Sequence, residues 1–153
     1  MVAGVVEELL RHRLDKGGGR LDPLSPSDIL IVSPYNLQVR LLSKRLPHVR
    51  VGTVDKFQGQ EAPVVICSMT SSTGDASSRG LEFLFSPNRL NVALSRAQVL
   101  AILVGSPQLV RTRCPRLDQM RLVNLFCHAV AAGTVLAAAA AGKTSRGDDA
   151  HLP

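Results

Sequence analysis

Between residues 28 and 131 short, unbroken apolar runs alternate with segments of helical period, and this alternation constrains the fold more than any other feature of the chain. The runs at 29–32, 49–51, 64–69 and 100–104 are rich in Val, Ile and Leu and have the length of strands buried on both faces. Residues 37–46 and 87–97, which lie between them, suit helices. Strand alternating with helix predicts an α/β fold with a parallel sheet of four strands flanked by helices. A chain of 153 residues, 45% of them apolar, has room for one such domain.

The flanking segments read differently. Val2, Val5, Val6, Leu9 and Leu10 have helical spacing, so residues 1–16 are expected to form an N-terminal helix that the glycines at 17–19 end. Residues 17–27 contain three Gly and two Pro and predict a linker with neither helix nor strand. In the 37–46 helix Val39, Leu42 and Leu46 face inward while Leu37 and Leu41 share the opposite side with Arg40 and Lys44, as ordinary surface or as a contact with another module. Residues 118–132 predict a last helix with Leu122, Val123, Leu125, Phe126, Ala129 and Val130 closing over the sheet. The Ala-rich segment 132–153 has no apolar periodicity and is expected to be a disordered tail.

Composition narrows the function classes. Aromatic residues make up 3% of the chain, too few for a sheet that reads single strands by stacking bases on an aromatic platform. The net charge is +6, and residues 28–131 hold twelve basic side chains against six acidic ones. Fourteen of the eighteen basic residues are Arg, which suits bidentate phosphate recognition; base composition of the gene is the competing reading. Cys67, Cys114 and Cys127 match no disulfide framework or zinc pattern and point to a reducing compartment. His12, His48, His128 and His151 are scattered, so neither a metal cluster nor a Ser-His-Asp triad is expected. The longest apolar run, 129–141, is interrupted by Gly133 and Thr134 and falls short of a bilayer span, and no signal-peptide pattern precedes it. The expectation is a soluble cytoplasmic protein without membrane contact.

Three segments stand out for chemistry. Ser33-Pro34-Tyr35-Asn36-Leu37-Gln38 follows the first strand, and Gly52-Thr53-Val54-Asp55-Lys56-Phe57-Gln58-Gly59-Gln60-Glu61 follows the second. Loops leaving the C-terminal strand ends of an open α/β sheet are where ligands sit. The third, residues 86–97, is a helix that Ser86 can cap with Pro87 in its first turn. On a helix running through 97, Arg89 and Arg96 would fall within ~20° of each other. The bland alternatives stay open: a solvated Arg pair, Tyr35 as a plug for a strand end, Gly59 as a turn glycine, Glu61 as a surface carboxylate. A Gly-Lys-Thr tripeptide at 142–144 is no phosphate-binding loop, because Ala137 stands where the pattern needs Gly, and no Walker B carboxylates end a strand.

In this order the segments resemble the Upf-like branch of the superfamily-one helicases, over roughly residues 28–131. S-P-Y-N-x-Q is similar to the family's motif four, V-x-T-V-D-x-F-Q-G-Q-E to motif five and R-L-N-V-A-L-S-R-A to motif six. The resemblance implies the second RecA-like domain of an ATP-dependent DNA or RNA helicase, without the first domain and its Walker A half. It implies that Arg96 is the arginine finger, that Tyr35, Gly59, Glu61 and Arg89 approach ATP, and that Thr53, Asp55 and Gln58 lie on the nucleic-acid track. ATP and Mg²⁺ would then be held with the first RecA-like domain, and single-stranded DNA or RNA would be the partner. Gln98 departs from the family, where a second basic residue is frequent. A binding module without catalysis, derived from such a helicase, is the alternative.

Overall fold

The protein is described here by a computed structural model covering residues 1–15, 18–69 and 80–136. It opens with helix α1 (Val2–Leu9) and strands β1 (Arg13–Asp15) and β2 (Leu21–Pro23), followed by β3 (Ile29–Val32), α2 (Asn36–Arg45) and β4 (Arg50–Gly52). Next come β5 (Ala62–Ser68), α3 (Leu81–Leu84), α4 (Pro87–Leu94), β6 (Ala97–Val104) and α5 (Leu117–Ala132). Strands β3 to β6 form one sheet in the order β4-β3-β5-β6, and every pairing in it is parallel. The four expected strands are therefore the four observed ones, with ends that differ by a few residues.

Strand alternation divides the core into two layers. Ile29, Ile31, Val64 and Ile66 face α1 and α2, where Val2, Val6 and Leu42 meet them. Leu30, Val32, Val65 and Cys67 face the other way, against Leu84, Phe85, Leu90, Ala93, Val123 and Phe126 of α3, α4 and α5 and their connections. The crossover β3–α2–β4 runs on the first face and β5–α4–β6 on the second, in opposite directions across the sheet, so both have the same hand. Both layers rest on strands that read as continuous apolar runs because both their faces are covered.

Three expectations need correction. The N-terminal helix stops at Leu9 instead of continuing to residue 16, and Arg13–Asp15 pairs antiparallel with Leu21–Pro23. Gly18 and Gly19 lie in the connection of this hairpin: the Asp15 carboxylate accepts their N–H groups at 3.0 Å each, and Gly19 takes φ 69°. Segment 17–27 thus holds a strand and also a 3₁₀ turn, Pro26–Asp28, entered through a reciprocal Ser25/Asp28 capping box.

Strand β6 is not buried on both faces. Gln98, Val99, Leu100 and Ala101 are exposed, with Val99 at 49%, because β6 is a sheet edge, and only its C-terminal residues Ile102, Leu103 and Val104 pack against the two core layers. Leu37 and Leu41 of α2 are exposed as well, at 70% and 58%. Among the described residues no helix is long and apolar enough to cross a membrane. The Ser-rich loop 71–79, the tripeptide at 142–144 and most of the Ala-rich tail lie outside the described residues.

Candidate functional site

The parallel sheet has two ends, and the motif residues divide between them. Tyr35 follows β3 and Thr53 follows β4, so both stand at the C-terminal end. Glu61 immediately precedes β5 and Arg96 immediately precedes β6, which places them at the N-terminal end. The four residues of β3 alone put on the order of 13 Å between the two ends.

At the N-terminal end the Arg96 carbonyl accepts the Ala62 N–H at 3.1 Å, tying the residue after Glu61 to the finger candidate. Gln98 Nε2 donates to Glu61 Oε2 at 3.4 Å, and Arg50 Nη2 reaches the Glu61 carbonyl at 3.4 Å and the Ser27 carbonyl at 3.2 Å. Arg96 is half-buried, and its Nε is shielded from water without a hydrogen-bond partner among the described residues. A buried guanidinium N–H left unpaired is costly, and such groups call for an explanation. Arg96 is close to Glu61 and is not sealed beneath the sheet.

Arg96 is also not on α4. The helix ends at Leu94, its last turn tightening as Arg96 N–H reaches the Ala93 carbonyl at 3.4 Å and Ser95 Oγ donates to the Val92 carbonyl at 3.0 Å. Ala97 then pairs with Ala62 as the first residue of β6. Arg89 and Arg96 consequently stand at opposite ends of a helix about 12 Å long instead of sharing a face.

The C-terminal end gathers the remaining candidates. A cleft of about 120 Å³ is lined by Pro34, Asn36, Thr53, Asp55, Phe83 and Arg89. The Arg89 guanidinium carbon lies 4.2 Å above the centre of the Phe83 ring, and the Tyr35 ring stands 5.4 Å from it at a 45° tilt. Tyr35 and Arg89, expected beside Glu61 and Arg96, thus lie with Thr53 and Asp55 instead. Sequence reasoning missed Phe83; the only signal for it was an aromatic residue shortly before the Ser86-Pro87 helix start.

One segment joins the two ends. From Thr53 to Glu61 the chain makes the whole return from β4 to β5, crossing β3 with only a 3₁₀ turn, Val54–Phe57, where a helix is usual. Phe57 is buried in the core below it, Lys56 Nζ donates to the Val51 carbonyl at 3.2 Å, and Gly59 adopts φ 78°, a conformation that favours glycine. Gln58 and Gly59 are exposed along this return, between Asp55 at one end and Glu61 at the other. Among the described residues no three of His, Cys, Asp or Glu are grouped to hold a metal. Burial pushes the Cys67 thiol up to about 12, which makes it a core group and no nucleophile.

A family model described as an AAA domain matches residues 1–108. The chain is 39% identical over 121 residues to a putative helicase MOV-10 of Gallus gallus, covering 67% of this chain and 12% of that protein. It is 34% identical over 126 residues to the DNA replication ATP-dependent helicase/nuclease JHS1 of Arabidopsis thaliana, covering 81% of this chain and 8% of the relative. To the DNA replication ATP-dependent helicase/nuclease DNA2 of Mus musculus it is 41% identical over 87 residues, or 54% of this chain and 8% of the relative. The chain therefore spans between 8% and 12% of the length of these relatives. With its parallel sheet and three ordered motifs, the chain belongs to the Upf-like superfamily-one helicases as their C-terminal RecA-like domain.

Proposed function

We propose that this chain supplies half of a composite ATP site and part of the grip on a single strand of DNA or RNA in an ATP-dependent helicase. Arg96 is the arginine finger, and Glu61 and Gly59 approach the ribose and phosphates beside it. The observation that carries this reading is the unpaired, water-shielded Nε of Arg96 at the strand end it shares with Glu61. A guanidinium so placed has an Nε–H donor without a partner among the described residues. ATP fits that donor set, and when bound it supplies the phosphoryl group whose transfer drives movement along the strand.

An arginine finger stabilises charge that develops on the transferring phosphoryl group, an effect of about 10³ to 10⁵ in rate, or roughly 4 to 7 kcal/mol of barrier. Lys cannot replace its planar fork. In this reading Mg²⁺ comes with the domain that grips the triphosphate, since the described residues hold no grouped carboxylates. Thr53 and Asp55 hold the strand at the C-terminal end, and Gln58 relays between strand and nucleotide along the return from Thr53 to Glu61. In this reading Tyr35 and Arg89, which lie at the opposite end of the sheet from Arg96, belong with the strand instead of with ATP. The three free thiols fit a reducing, cytoplasmic setting.

The test is ATP turnover by the purified chain of 153 residues. A half-site binds ATP weakly and does not hydrolyse it, with or without single-stranded DNA or RNA. Turnover by the isolated chain that disappears in Arg96→Ala would overturn the proposal.

A further inference from the structure

In the reading above the Phe83–Arg89 pair stands apart from the nucleotide half-site, and both residues line the cleft at the C-terminal end of the sheet. Arg89 is half-buried, and its guanidinium carries no ion pair among the described residues. Its guanidinium carbon lies 4.2 Å from the centre of the Phe83 ring, and the Tyr35 ring packs against Phe83 at 5.4 Å with a 45° tilt. The pair therefore offers a cationic planar group beside an aromatic ring. Asn36, Thr53 and Asp55, which carry an amide, a hydroxyl and a carboxylate, line the same cleft.

This combination suits one chemical class better than others. An aromatic ring and a stacked guanidinium take the face of a heterocyclic base, the free guanidinium edge takes a phosphate, and a hydroxyl, an amide and a carboxylate serve sugar and base polar atoms. A bare phosphate would have no use for the Phe83 wall and would be repelled by Asp55. An apolar peptide would leave Arg89 and Asp55 unpaired.

We propose that the cleft between Asn36, Thr53, Asp55, Phe83 and Arg89 is a subsite for one nucleotide unit of a single strand. In it the base lies against the Phe83–Arg89 stack, Arg89 meets the adjoining phosphate, and Tyr35 is a positioning residue that keeps Phe83 in place. The inference rests on the reading of this end of the sheet as the strand-binding end, and it assigns Arg89 to the strand instead of to ATP.

Binding of fluorescein-labelled dT12 and rU12 to the purified chain, titrated over a range of KCl concentrations, tests it. Arg89→Ala and Arg89→Gln are expected to weaken binding and to flatten the slope of log K against log salt by about 0.7, the share of one phosphate on a single strand. Arg89→Lys keeps the charge and restores the slope. Phe83→Leu is expected to weaken binding by about 5- to 150-fold, the loss typical of one stacked base, with an unchanged slope. Thermal melting at the parent's temperature shows that each variant is folded.

If the parent binds the oligonucleotides and folded Arg89 and Phe83 variants bind them equally well, the subsite is refuted and the strand-binding end stands. If the parent binds neither oligonucleotide, both fall. Weaker binding of ATP in Phe83→Leu, with dT12 binding intact, would show an adenine pocket and also refute the proposal.

Discussion

Gly52 ends β4 directly beneath the motif residues that follow it, and Gly52→Ala measures how firmly that junction is packed. A Cβ added there would lie 2.7 Å from Lys56 Cδ and 2.7 Å from the edge of the Phe57 ring, with a second ring atom at 3.0 Å. Lysine can swing aside. Phe57 cannot do so cheaply, because it is 4% exposed in a core layer with Leu30, Val32 and Val65. Overpacking of this kind costs about 1 to 3 kcal/mol. For a chain of this length that corresponds to a fall in melting temperature of roughly 2 to 12 °C.

Thermal melts followed by circular dichroism, on Gly52→Ala, Phe57→Leu and the double variant, would isolate the contact. Residues in contact couple by about 0.5 to 3 kcal/mol in such a cycle. The double variant should therefore be more stable than the sum of the single losses predicts, because the smaller side chain vacates the space the new methyl needs. Strand binding should weaken in Gly52→Ala as well, since the displaced 3₁₀ turn begins right after Thr53 and contains Asp55. A Gly52→Ala protein that melts within about 1 °C of the parent, or a cycle in which the losses simply add, would refute the packing argument.

Other outcomes follow from the same core. With its thiol pushed up to about 12 by burial, Cys67 stays protonated at pH 8, so a thiol reagent should react quickly with the half-buried Cys114 and Cys127 and with Cys67 only on unfolding. Equal rates at all three thiols would contradict this. Phe85 is 1% exposed and its ring lies 5.0 Å from that of Phe126, so Phe85→Ala should lose about 3 to 5 kcal/mol in urea unfolding. A loss below 1 kcal/mol would place the ring outside the core. Polar substitution of both Val99 and Leu100, exposed at the edge of the sheet, should change stability by less than about 0.5 kcal/mol per site.

The sheet was legible because its strands announce themselves. Ile29–Val32 and the run within Ala62–Ser68 are buried on both faces, and unbroken apolar sequence is the direct result. Strand β6 has equally apolar sequence but is an edge, and nothing local distinguishes an edge from a centre when the covering elements are set by topology. The hairpin of Arg13–Asp15 with Leu21–Pro23 was hidden for a different reason. Its strands are three residues each, too short to show a period, and its turn depends on a side chain, Asp15, accepting from glycines that read as a linker.

The candidate site was half legible. Motif order singled out Arg96, Glu61, Thr53 and Asp55 as candidates, but a motif carries no information on which end of the sheet a residue occupies. Arg89 and Arg96 appeared to share a face only because the helix was extended two residues past the turn at Ser95 and Arg96 that ends it. Phe83 belongs to α3, a helix of four residues, and gained significance only from the positions of Arg89 and Tyr35 around it.

The central claim concerns a single side chain. In a two-domain enzyme that joins a first RecA-like domain ahead of this chain, kcat for ATP should drop by about 10³ to 10⁵ when Arg96 is replaced by Lys, with strand binding unchanged. An Arg96→Lys enzyme that keeps the parent's kcat would contradict the account.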